Sequence, residues 1–199
     1  LLVPLFVFGD GNLGHRLLTF LGAETDWMTP IGMILLALRG RSELRAMFFG
    51  FLSLGGVAIV GAMGCAASIL MQILVTLLVL HNFPHQGMLV GISRFSFYAN
   101  CFGPIEEELM YQCAVQTWIQ RLGPLLAVLI TTLLFALSHI LTDYVAFTMT
   151  YREAAYYFSK LFVSLLVFAF IRQKTKSFGA ATFAHLMNNA IASSIHDSA

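Results

Sequence analysis

Three stretches of this chain carry side chains that could break a covalent bond. Glu106-Glu107-Glu108 form a run of carboxylates, His139 stands near the end of an uncharged apolar run, and His185 precedes Asn188 and Asn189 in the last one. A positioned carboxylate activates water by taking its proton, and an imidazole moves protons near neutral pH. Imidazole and amide N–H groups are the uncharged donors that a developing oxyanion needs where the dielectric is low. Two carboxylates, two imidazoles and an amide in one cavity therefore point to hydrolysis. Taken singly, each group has a structural explanation. Glutamate at a helix N-terminus is favoured by the helix dipole, which is our reading of Glu106. Membrane His and Asn residues bridge helices, and Lys160 reads as a snorkelling lysine. Convergence is what the fold has to supply.

The setting for that convergence is a membrane. Only 11% of the 199 residues are charged, against roughly 25% in a soluble domain. The apolar share is 58%, mean hydropathy is +0.81, and no Asp, Glu, Lys or Arg occurs between Ala46 and Ser93. That composition excludes a disordered chain, and a net charge of +1 leaves no basic surplus for nucleic acid. Cys65, Cys101 and Cys113 are odd in number and lack C-x-x-C spacing, so they read as apolar thiols rather than a disulfide framework.

A helix needs ~20 apolar residues to cross a bilayer. Residues 1–45 read as one or more N-terminal membrane segments, with Trp27–Leu38 a short crossing, and 46–199 as the core. Gly55-Gly56 is the expected break in the long run at 46–80, and Pro84 follows its end. Gly103-Pro104 opens a helix over 104–120. Further helices are expected over 124–141, 153–171 and 178–195. The fold class is all-α, a polytopic bundle of about five to six spanning helices. Seven of the 11 basic residues fall at 39–45, 121–123 and 172–176, which alternating helices place on one side, the cytoplasmic one. The same alternation starts the Glu run and ends the His139 helix at the far side, with His185 and Asn189 in a helix running back toward it. A shared cavity follows. On an α-helix Glu107 and Glu108 point ~100° apart, so they are not expected to face one point equally.

These residues also resemble a known family. Gly103–Gln112, reading GPIEEELMYQ, is similar to the E-E-x-x-x-R motif of the CPBP (Abi) intramembrane proteases, which include the type II CAAX prenyl endopeptidases. Phe135–His139 resembles the F-x-x-x-H motif and His185–Asn189 the H-x-x-x-N motif, in the same order, across about residues 40–195. The resemblance implies hydrolysis of a peptide bond in a membrane-associated protein or peptide. Carried over by motif, Glu107 activates water with Glu108 beside it, His139 assists in positioning or proton transfer, and His185 and Asn189 donate to the oxyanion. Gln112 replaces the family's Arg and offers a hydrogen bond without charge. The metal-free version is preferred, with no cofactor assigned. A zinc site using Glu and the two His is chemically coherent, but no local ligand pair such as H-E-x-x-H supports it. The compact motif spacing points to a bacterial plasma membrane. Two other readings stay open: a non-catalytic scaffold or bacteriocin-immunity protein that kept the fold, and a small transporter or proton relay, which would more often show internal repeats.

Overall fold

The computed structural model describes residues 40–82, 103–147 and 150–196, so the expected crossing at Trp27–Leu38 and Cys101 lie outside the described residues. All described elements are helical. In chain order they are α1 (Arg41–Phe49), α2 (Leu54–Asn82), α3 (Gly103–Glu107), a π-helix π1 (Glu108–Val115), α4 (Gln116–Ile119), α5 (Pro124–Phe147), α6 (Tyr151–Thr175) and α7 (Phe178–His196). A 3₁₀ turn, Gln120–Leu122, follows α4. The helical backbone runs unbroken from α3 through π1 into α4, giving one rod with a widened middle.

The helix ends follow local chemistry. Pro124 opens α5, where its missing N–H is no loss. Thr150 and Glu153 form a capping box on α6: the Glu153 N–H donates to Thr150 Oγ1, and the Thr150 N–H to Glu153 Oε2 at 2.8 Å. Lys176 stops α6 in the left-handed region at φ 57°. Half-buried there, its ammonium is held below the usual lysine range by burial first and by the Arg172 charge second. Ser177 then caps α7, accepting from the Ala180 N–H and donating to the Phe48 carbonyl.

The break after α1 falls at Gly50, not at the expected Gly55-Gly56. Gly50 has φ 57°, and a Cβ there would collide with the Thr175 carbonyl. Gly55 and Gly56 lie in the first turn of α2, whose start is fixed by the Gly56 N–H donating to Ser53 Oγ. The Phe51 N–H meets the Thr175 carbonyl at 3.0 Å, tying this break to the α6–α7 turn. Gln116 donates to Gln173 at 3.3 Å, so the start of α4 lies beside the C-terminal end of α6. The basic residues at 121 and 172–176 therefore lie at the same end of the bundle as the C-terminal end of α1.

The core lies between α2, α5, α6 and α7. Phe135, Leu165, Phe168, Ala180, Ala181 and Ala184 are buried in it. Small residues let α2 and α7 approach closely: a Cβ on Gly61 would meet the Phe183 ring at 2.6 Å and the Ala180 carbonyl at 3.2 Å. The outside is apolar instead of polar. Leu70, Leu74, Leu77 and Leu78 of α2 and Leu125, Leu126, Leu129 and Leu133 of α5 are all exposed. Two stretches, Ser42–Leu78 and Tyr151–Thr175, are long and apolar enough to cross a membrane. Helices with a packed polar interior and a leucine-faced exterior make an integral membrane bundle, as the composition requires.

Candidate active site

Three helical rods bring one side chain or more to a common point. Glu107 ends α3, Glu108 starts π1, His139 comes from α5 and His185 from α7. Glu107 places one carboxylate oxygen against each imidazole: Oε1 lies 3.3 Å from His139 Nε2, and Oε2 lies 3.7 Å from His185 Nε2. The other edge of His185 meets the second carboxylate, with Nδ1 3.0 Å from Glu108 Oε1. The result is an alternating series, His139–Glu107–His185–Glu108. Both carboxylates thus reach His185, on opposite edges of its ring and at different distances. The helix changes from α to π where the two residues meet, and their different directions suit the two ring edges.

Exposure divides the series. The Glu108 and His185 side chains are 0% and 8% exposed, whereas Glu107 and His139 reach 17% and 28%. One half faces an opening and the other is sealed. His139 Nδ1 lies 3.2 Å from the Phe135 carbonyl, which only accepts, so Nδ1 carries a hydrogen. The approach of Nε2 to Glu107 then needs one proton shared between imidazole and carboxylate. Aromatic rings hold the imidazoles in place. Phe168 stacks on His185 at 5.0 Å, and Phe135, itself stacked on Tyr111 at 4.2 Å, flanks both histidines.

The remaining sequence candidates are placed as follows. Asn189, one turn beyond His185, is half-buried, and no described side chain engages its amide. Its neighbour Asn188 is buried, and its Oδ1 accepts from Ser68 Oγ and Gln72 Nε2, both at 2.9 Å. Gln72 and Ser68 carry no motif and were invisible in the sequence. Glu106 is corrected: it is buried in the first turn of α3 together with Gly103 and Pro104, not displayed as interfacial charge. Lys160 sets its ammonium 5.4 Å from the Tyr156 ring centroid, a cation–π contact away from the carboxylates. Cys65 is buried and Cys113 half-buried, both as free thiols. Gln112 is buried, and neither atom of its amide has a hydrogen-bond partner among the described residues.

Each imidazole turns Nδ1 to an oxygen acceptor and Nε2 to Glu107, an arrangement that two metal-bound imidazoles would share. Among the described residues no group of three His, Cys, Asp or Glu side chains is arranged to hold a metal ion.

An apolar-faced helical bundle with carboxylates and imidazoles gathered inside it defines a membrane-embedded hydrolase. The family model for type II CAAX prenyl endopeptidase Rce1-like proteins matches residues 89–191, a span that contains all three motifs. The chain belongs to that family of intramembrane CAAX proteases. Comparisons with curated proteins and with solved structures give no match.

Proposed function

We propose that this protein is an endopeptidase that cleaves a membrane-associated protein or peptide with water activated by Glu107. The observation that carries this reading is the Glu107 carboxylate, set between His139 and His185 on the exposed half of the series. A water held against Glu107 gives up a proton to the shared Glu107–His139 pair as its oxygen attacks the scissile carbonyl carbon. The carbonyl π electrons move to oxygen, where the His185 Nε2–H and the Asn189 amide donate to the new charge. Collapse of the tetrahedral intermediate breaks the C–N bond, and the departing amine takes the proton back from the Glu107–His139 pair. Glu108, sealed against Nδ1, keeps the His185 ring aimed. The motif spacing supports a bacterial plasma membrane as its location.

The test is cleavage of a prenylated CAAX peptide in proteoliposomes, wild type beside Glu107→Gln. Removing the base while keeping the shape should lower turnover by ~10²–10⁴-fold. Wild-type cleavage should survive a chelator. Cleavage abolished by chelator and restored by zinc would replace this mechanism with a metal-dependent one. A Glu107→Gln protein as active as wild type would remove Glu107 from the role of base.

A further inference from the structure

The rod formed by π1 and α4 carries a buried polar stripe whose Glu108 end meets α7 and whose Gln116 end meets α6. Glu108, Gln112 and Gln116 recur at four-residue spacing, and all three are buried. Gln116 fixes which way the stripe faces: its amide donates to the Ala169 carbonyl at 3.2 Å and to Gln173 Oε1 at 3.3 Å, both on α6. Arg172 lies between those two anchors in sequence. Three residues after Ala169 and next to Gln173, it lies on the side of α6 that meets the Gln116 end of the stripe. Its like-charged neighbour one turn on, Lys176, disfavours the opposite direction.

Five buried atoms along this seam have no partner among the described residues: Glu108 Oε2, both amide atoms of Gln112, Gln116 Oε1 and Arg172 Nε. Their chemistry is complementary. A carboxylate oxygen needs a donor, a guanidinium N–H needs an acceptor, and a glutamine amide offers one of each. Orphaned buried polar atoms are costly, and a set that pairs off internally is a poised connection rather than a packing fault.

We propose that Arg172 is a positioning residue for Glu108, supplying from α6 the positive charge that the rod itself lacks, with Gln112 as the neutral link that donates to Glu108 and accepts from Arg172. Glu108 held in this way keeps the His185 ring fixed from Nδ1 while its Nε2 serves the reaction. The inference rests on the reading of the site as a peptidase, and it concerns where the counter-charge of Glu108 resides.

Moving the charge tests it. Arg172→Met should lower cleavage by about 10²-fold, the scale of a misplaced catalytic group. Arg172→Lys should retain more activity than Arg172→Met. In the Arg172→Met background, Gln112→Arg should return most of the lost rate by carrying the charge on the rod. Full activity in Arg172→Met, or no gain on adding Gln112→Arg to an Arg172→Met protein that is folded by its melting curve, overturns the proposal. The second measurement needs no substrate. Melting temperatures of Glu108→Gln, Arg172→Met and the double variant should be non-additive, the double falling by less than the two singles together. Additive shifts overturn the proposal whether or not the protein cleaves. Non-additive shifts in a protein that cleaves nothing uphold the charge pair and overturn the peptidase reading instead.

Discussion

Two polar seams run through the interior of this bundle, and they are built in opposite ways. Between α2 and α7, Asn188 accepts from Ser68 and Gln72, and Thr76 farther along α2 meets the Tyr156 hydroxyl of α6 at 2.9 Å. Along the π1–α4 rod and the end of α6 that it meets, Glu108, Gln112, Gln116 and Arg172 leave polar atoms unpaired. The first seam is satisfied by its own members and acts as interhelical glue. The second holds its groups ready for something not yet made. A buried polar group costs roughly 1–3 kcal/mol when orphaned, so the unpaired seam is where stability has been exchanged for chemistry.

Substitutions should separate the two seams. The largest effect belongs to Glu107→Gln, at the open end of the carboxylate–imidazole series, measured as turnover. Next comes a contrast between neighbours. Asn189→Ala should cost about 10²–10³-fold in rate with an unchanged melting curve, as loss of an oxyanion donor does. Asn188→Leu should act on stability, by about 1–3 kcal/mol, because the Ser68 hydroxyl and the Gln72 amide lose their acceptor. If thermal unfolding finds the two variants reversed, the glue and the donor have been exchanged. The smallest stability effect is expected at Gln112→Met, which removes the neutral link but leaves the Arg172 charge facing Glu108, and should cost about 0.5–1.5 kcal/mol by thermal unfolding. An unchanged or raised melting temperature would mean that Gln112 links nothing and that the second seam stays unpaired.

Much of this arrangement could be read from residue order. Helix starts at Gly103-Pro104, Pro124 and near Phe178 announce themselves through proline, glycine and serine chemistry. The meeting of the Glu run with His139 and His185 follows from alternating helices and the basic loops between them. What composition does not carry is hydrogen-bond register. Nothing in Glu108–Val115 spells a π-helix, so the convergence of both carboxylates on His185 could not be read. Burial of Glu106 was missed for a related reason: the dipole argument places charge at a helix end without saying whether that end lies inside the bundle. Gly50 was passed over for Gly55-Gly56 because a pair of glycines looks like a break. The deciding factor was the Thr175 backbone, which lies far away in sequence. Ser68 and Gln72 sit in an apolar run where single polar residues have no spacing to mark them.

The π-helix has a consequence in terms of phase. The rod must turn Glu107 and Glu108 toward α7 at one end and Gln116 toward α6 at the other, and the wider winding of Glu108–Val115 sets the rotation between the two ends. Wound as α, the same eight residues would turn through a larger angle and point one end away from its partner. The active face is therefore specified by the number of residues between the motif and its anchor as much as by their identities. Removing one residue between Leu109 and Val115 would leave every catalytic side chain in the sequence and swing the carboxylates off their histidines.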